Sequence, residues 1–111
     1  MGRKDKTVTK YIVVTYTYDN NLADHPTAGV ADVDYKAYDT LSAANEAADM
    51  AWHYLTKYER ARTTIDVGVV TEDDLLDWAA DEDDGTIDWT AVANYRTPEG
   101  ALQFPSACAE C

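Results

Sequence analysis

The sequence predicts a single small α+β domain with the order ββ-α-β-α-ββ, in which one long helix crosses a mostly antiparallel sheet. Three observations predict it. A chain of 111 residues fits one domain with its own core. Segments rich in β-branched and aromatic residues alternate with segments of helical apolar spacing, and Asn, Asp, Gly and Pro cluster between them. We expect the domain at 8–105, with a frayed segment at 1–7 and a tail at 106–111.

The first two predicted strands lie near the start of the chain. TVTKYIVVTYTY at 7–18 is β-branched and aromatic, and its middle, Tyr11 to Val14, is continuously apolar, as in a strand covered on both faces. A loop rich in turn residues follows at 19–29. VADVDYKAYDT at 30–40 then alternates apolar and polar residues, which predicts a half-exposed strand antiparallel to the first.

The long helix is predicted to follow Thr40, a candidate N-cap. From Leu41 to Arg60 apolar residues recur at three- and four-residue spacing, so we predict one continuous helix with one buried stripe. The stripe comprises Leu41, Ala44, Ala48, Ala51, Trp52, Leu55 and Tyr58. A third strand is predicted at 63–70.

A short acidic helix is predicted at 72–80. Thr71 and Asp74 have the spacing of a capping box, and the acids of the first turn suit the positive end of the helix dipole. Its core-facing residues are expected to be Leu75, Leu76 and Ala79.

The last predicted elements form a hairpin. A loop at 81–85 leads to a strand at 86–95, and RTPEG makes a tight turn because Pro and Gly favour such turns. A strand at 101–104 then closes the hairpin.

Part of the chain resembles a group of known proteins. The strand KYIVVTYTY is followed by a strand leading into YDTLSAANEAA, then by an acidic segment and a closing hairpin. This order, and above all the run from Leu41 to Ala48, resembles small fungal α+β proteins with a SLEAANAAA-like helix start. The resemblance covers residues 10–60. It implies the same element order and an intracellular eukaryotic origin, and it carries over no activity and no site residues.

The net charge is −12, from 9 basic and 21 acidic residues. Phosphate backbones and anionic membrane surfaces bind positive protein surface, so this charge argues against direct nucleic-acid binding and membrane binding, and favours a basic protein partner. No apolar run approaches the length of about 18 residues that a membrane helix needs. The basic start leads into no apolar signal core, so we expect an intracellular location, cytoplasmic by default.

The acids are concentrated between Thr63 and Tyr95, a span without Lys or Arg. Three interpretations are open: a solvated helix start with a polar loop, a docking face for a basic partner, and a cation site. The candidate docking residues are Glu72, Asp73, Asp74, Asp77, Asp81, Glu82, Asp83 and Asp84. An EF-hand loop starting at Asp81 would need Gly and Glu at its sixth and twelfth positions, which hold Thr86 and Val92.

Cys108 and Cys111 form a C-x-x-C pair at the end of the chain. The pair lacks the helix start that activates redox thiols and the second pair that a zinc site typically has. Prenylation wants an aliphatic residue where Glu110 stands. An inert tail, a metal or redox role, prenylation and a disulfide to another chain all stay open.

No motif indicates catalysis. The chain has no G-x-S-x-G and no phosphate-binding glycine loop, and His25 and His53 lack a nucleophile in a recognisable arrangement. Among 21 acids some pair always exists, so paired carboxylates are not informative. The sequence favours a non-enzymatic protein without a cofactor.

Two hypotheses of different classes therefore remain. The first is a small acidic interaction module that binds a protein partner on its acidic segment and forms a homodimer through uncovered sheet surface. The second is a metal- or thiol-handling protein that uses Cys108 and Cys111. Replacing both cysteines by Ser separates them, because only the second hypothesis requires the sulfurs.

Overall fold

A computed structural model describes residues 9–25, 27–83 and 95–105, without the side chains of 81–83. It shows a small α+β domain with a four-stranded antiparallel sheet, which confirms the predicted fold class. The elements are β1 (Thr9–Tyr18), β2 (Val30–Tyr38), α1 (Leu41–Tyr54), α2 (Lys57–Arg60), β3 (Thr63–Thr71), α3 (Glu72–Asp83) and β4 (Gln103–Phe104).

The strands lie in the order β2-β1-β3-β4, and every neighbouring pair is antiparallel. β1 therefore has a long strand on each side. Ile12, Val13 and Val14 are all buried, as their continuous apolar run predicts. Because successive side chains of a strand point to opposite faces, this burial means that both faces of the sheet are covered.

One side of the sheet, here called the α1 face, is covered by α1. The buried residues of this side are Val13, Ala44, Ala48, Trp52, Ile65 and Val67. Trp52 anchors the far end of the helix, and its ring stacks on Phe104 of β4 with 5.3 Å between centroids. The helix begins as predicted, because the Thr40 hydroxyl accepts a hydrogen bond from the Ala43 N–H at 3.1 Å.

The predicted long helix ends early. α1 stops at Tyr54, Leu55 is extended, and Thr56 caps the short helix α2. The Thr56 hydroxyl accepts from the Glu59 N–H at 3.2 Å, and the Glu59 carboxylate accepts from the Thr56 N–H at 2.8 Å. This capping box gives Thr56 a local alternative to the helix interior. As a result Tyr58, predicted on the buried stripe, is 82% exposed.

The other side of the sheet, here called the α3 face, is covered by α3. Its buried residues are Ile12, Val14, Val33, Val70 and Trp78. The Trp78 ring meets Tyr35 edge-on, with 5.3 Å between centroids and 81° between ring planes.

The rotation of α3 differs from the prediction. The helix turns Leu75 and Trp78 toward the sheet, whereas Leu76 and Ala79 are exposed. An indole carries a large apolar area, which favours its burial. Residues three apart share a helix face, so Leu75 enters the core together with Trp78. α3 also continues to Asp83, through the start of the predicted loop at 81–85.

The chain beyond Arg96 does not reverse direction as a hairpin would. Arg96 pairs with Val69, and Gln103 pairs with Asp66, both antiparallel to β3. Three positions of β3 separate Val69 from Asp66, whereas seven positions separate Arg96 from Gln103, so four residues leave the sheet edge as a loop. RTPEG therefore begins a loop that leaves the edge of the sheet and returns to it, and the chain on both sides of the loop pairs with β3. The predicted strand at 86–95 lies outside the described residues, apart from Tyr95.

Asn45 on α1 holds this loop in place. Its Nδ2 donates to the Gly100 carbonyl at 2.9 Å, and its Oδ1 accepts from the Leu102 N–H at 2.9 Å. Gly100 has a φ of +88°, in the left-handed region that glycine adopts most easily. The side chain of one helical residue thereby joins the start of α1 to the last strand.

Candidate functional site

The outward side of α3 carries two of the predicted docking residues, Asp73 and Asp77. Because Leu75 and Trp78 face the sheet, the opposite side of the helix consists of residues at the spacing i, i+3, i+4 and i+7. These are Asp73, Leu76, Asp77 and Ala80, here called the acidic stripe, and all four are exposed. Leu76 is 63% exposed between the two carboxylates.

The charge of the acidic stripe is not neutralised within the described part of the chain. The ion pairs found there are Lys10 with Asp39 at 2.6 Å and His53 with Asp49 at 3.3 Å, and neither involves α3. Asp39 is the main cause of the raised pKa of Lys10, with a smaller contribution from Glu72 at the start of α3. The stripe therefore presents negative charge to solvent.

Asp74 has a different role from its neighbours. Its N–H donates to the Thr71 hydroxyl at 3.2 Å, and its carboxylate accepts from the Thr71 N–H at 3.5 Å, so the predicted capping box is present. Glu72, also exposed, lies beside the stripe in the same first turn. Replacing Asp74 would remove a helix cap as well as a charge, which makes it a poor probe of docking.

The remaining predicted site residues lie wholly or partly outside the described part of the chain. Asp81, Glu82 and Asp83 belong to the last turn of α3, but their side chains lie outside the described residues. Asp84, Cys108 and Cys111 lie outside them entirely. Among the described side chains, those of Glu72, Asp73, Asp74 and Asp77 all lie on α3 and are exposed.

A second polar cluster, which the sequence analysis missed, joins β1, β3 and the residue before Arg96. The Tyr95 hydroxyl donates to Oδ2 of Asp66 at 2.7 Å. The Tyr16 hydroxyl lies within hydrogen-bonding reach of the Tyr95 hydroxyl, and each affects the pKa of the other. The result is a short chain of hydrogen bonds at the margin of the α3 face.

Gly68 makes room for this cluster. A Cβ atom at position 68 would lie 2.1 Å from Cδ1 of Tyr95, so the tyrosine ring rests directly on the strand backbone. A glycine inside an apolar strand is a recognised sign of such close approach. The glycine in TIDVGVV was the one sequence signal that could have located the cluster.

Both phenols of the cluster are held protonated at neutral pH. Burial raises the pKa of Tyr95 above the ordinary value of 10.0. The hydrogen bond to Asp66 and the negative charge of Asp66 raise it further, by smaller amounts. Burial also raises the pKa of Tyr16, while the hydrogen bond to Tyr95 acts in the opposite direction. A general base at neutral pH needs a pKa near 7, so neither phenol suits that role. The Tyr95 hydroxyl instead donates the hydrogen bond that ties the residue before Arg96 to Asp66 of β3, here called the clamp.

The clamp predicts a loss of stability at high pH. Because the folded state raises the pKa of Tyr95, its contribution is complete below pH 10 and is lost as pH rises through the folded pKa. Above pH 10 the free energy of unfolding should fall by up to about 1.4 kcal/mol per pH unit for this tyrosine. In Tyr95→Phe the fall should be shallower, as measured by urea unfolding between pH 8 and pH 11.5.

Tyr54→Phe is the matched control for this titration, since the Tyr54 ring is 81% exposed. It should leave the alkaline fall as steep as in the unmodified protein. An equally steep fall in Tyr95→Phe would show that burial of Tyr95 does not contribute.

No metal site occurs among the described residues, in which no three His, Cys, Asp or Glu side chains are grouped suitably for an ion. His53 Nδ1 lies 2.8 Å from the Asp49 carbonyl oxygen, an ordinary contact on the surface of one helix. No helix in the described ranges is long and apolar enough to cross a membrane.

Three large apolar side chains are exposed on α1 and α2. Met50, Tyr54 and Tyr58 are 52%, 81% and 82% exposed, and Met50, His53 and Tyr54 line a shallow open pocket. The pocket is lined by the apolar side chain of Met50 and by two ring side chains that each carry polar atoms.

Comparisons of the chain with protein-family models, with curated proteins and with solved structures found no match. The resemblance of residues 10–60 to small fungal proteins stays a prediction. Function therefore has to be inferred from the surfaces described above.

Proposed function

We propose that this protein is a small non-enzymatic interaction module that binds a basic segment of another protein on the acidic stripe of α3. The observation that carries the proposal is the position of Leu76, an apolar side chain that is 63% exposed between Asp73 and Asp77. The leucine supplies contact area that excludes water, and the carboxylates supply charge on both sides of it.

The stripe suits an amphipathic basic segment as its partner. An amphipathic segment would place an apolar side chain over Leu76 and Ala80, and Lys or Arg side chains beside Asp73 and Asp77. The net charge of −12 would steer such a segment toward the protein and speed association, an effect that falls as salt is added. Binding should therefore weaken with increasing ionic strength.

The stripe can be tested with a synthetic helical peptide of alternating Lys and Leu at helical spacing. Asp73→Lys combined with Asp77→Lys should weaken its binding by about tenfold or more, because attractions worth about 0.2–1 kcal/mol each become repulsions. Fluorescence anisotropy of the labelled peptide gives the dissociation constant. Leu76→Ala should weaken the binding of this peptide and leave the binding of a peptide with Lys but no Leu unchanged.

The matched control is Asp24→Lys combined with Glu46→Lys, which makes the same change in net charge at exposed residues away from α3. It should lower affinity only slightly. If the control weakens binding as much as the α3 variant does, bulk charge rather than the acidic stripe binds the peptide, and the proposal is wrong.

A further inference from the structure

The two edges of the sheet differ in length. β4, at one edge, has two residues, and the chain beside it leaves the sheet as a loop between Arg96 and Gln103. β2, at the other edge, has nine residues and is the last strand in the described sheet order. Within the described part of the chain, its outer side therefore offers about 30 Å of backbone N–H and C=O groups for pairing.

β2 has charged side chains, which protect edge strands, but it lacks other protecting features along most of its length. It contains no Pro or Gly, and its register irregularity, in which Ala31 is the extra residue opposite Thr17 and Tyr18 of β1, is confined to its start. Its exposed charged residues are of both signs: Asp32, Asp34 and Lys36. In the described part of the chain neither Asp34 nor Lys36 forms an ion pair.

We propose that this edge is a dimerisation surface, on which β2 of a second copy of the chain pairs antiparallel about a two-fold axis through Tyr35. Residues opposite each other across an antiparallel pair share a face of the sheet. A two-fold axis normal to the sheet must therefore run midway between one residue and the same residue of the second copy, and it is here called an axis through that residue. Only a few registers are then available, and the charges of β2 distinguish them.

The axis through Tyr35 is the register that the charges favour. An axis through Val33 would place Asp32 opposite Asp34, and axes through Asp34 or Lys36 would place each of these opposite itself. With the axis through Tyr35, Asp34 faces Lys36 of the second copy at two equivalent positions, and no like charges are opposed.

The same register also matches the apolar side chains. On the α3 face Tyr35 meets Tyr35 of the second copy, and Val33 meets Ala37. The edge-on contact between Tyr35 and Trp78 would continue across the axis as a run of four aromatic rings. Cross-strand aromatic pairs and opposite charges are the contacts that stabilise antiparallel pairing most.

The net charge opposes this dimer and gives it a distinctive salt dependence. Two chains of charge −12 repel each other at long range, and added salt screens that repulsion. Dimerisation should therefore strengthen between low and moderate salt, opposite to the binding of a basic peptide. The surface is separate from the acidic stripe, so either proposal can fail without the other.

The test exchanges the charges of Asp34 and Lys36. Sedimentation velocity over a range of protein concentrations in moderate salt then measures the mass of each variant in solution. The unmodified protein should shift from its monomer mass of 12.3 kDa to twice that mass. Lys36→Asp and Asp34→Lys should each weaken the dimer by about tenfold, since each opposes like charges at both equivalent positions. The double variant Asp34→Lys/Lys36→Asp should restore it.

The variants separate local pairing from bulk charge. Asp34→Lys lowers the net negative charge, so bulk repulsion alone would make its dimer stronger, and the double variant keeps the net charge at −12. Asp73→Lys/Asp77→Lys should leave the dimer intact. A protein that stays monomeric at every concentration, or a double variant as weak as the single ones, would overturn the proposal.

Discussion

Gly68→Ala is expected to destabilise the domain by about 1–3 kcal/mol, the cost typical of overpacking. In most strands alanine is more stable than glycine by about 0.5–1 kcal/mol. Here the added methyl group would lie 2.1 Å, 2.6 Å and 2.9 Å from three ring atoms of Tyr95. The ring cannot move aside without giving up the hydrogen bond of its hydroxyl to Asp66.

A double-mutant cycle tests this cause directly. In a Tyr95→Ala background Gly68→Ala should be neutral or stabilising, because the ring that it would strike is gone. The free energies of unfolding come from urea titration monitored by far-ultraviolet circular dichroism. Gly29→Ala is the matched control, because its Cβ would meet Asp19 at an ordinary distance of 3.5 Å. Additive effects of the two substitutions would rule out the clash as the cause.

Trp78→Ala is expected to have the largest effect of any single substitution on the α3 face, about 3–5 kcal/mol. Trp78 is 6% exposed and packs against Ile12, Val14 and Val70 as well as Tyr35. α3 depends on this anchor, because its last turn contains acids and no basic residue, an unfavourable arrangement at the negative end of the helix dipole. Hydrogen exchange should show loss of protection in α3 before the rest of the domain.

Leu76→Ala is the informative comparison. The sequence pattern placed Leu76 in the core, whereas the structure exposes it, so the substitution should change the free energy of unfolding by no more than about 0.5 kcal/mol. Trp78→Phe should cost less than Trp78→Ala because it keeps a ring beside Tyr35. If Leu76→Ala costs as much as Trp78→Ala, the helix is rotated as the sequence pattern predicted.

The candidate site was predictable only in part. The composition of TEDDLLDWAAD indicates an acidic helix, and Thr71 with Asp74 marks its start. Neither shows which acids point outward, because the outward side is the one opposite Trp78 and is set by contact with the sheet. The clamp of Tyr95 on Asp66 had no sequence signal beyond Gly68.

The sequence by itself determined the three long strands, the antiparallel pairing of the first two and the caps at Thr40 and Thr71. These features depend on propensities, alternation and hydrogen bonds between residues a few positions apart, so the information is local. Only the tertiary structure decided the rotation of α3, the excursion after Arg96 and the position of Tyr95 on Gly68. Each depends on contacts between distant parts of the chain, such as Asn45 with Gly100 and Asp66 with Tyr95, which no local pattern encodes.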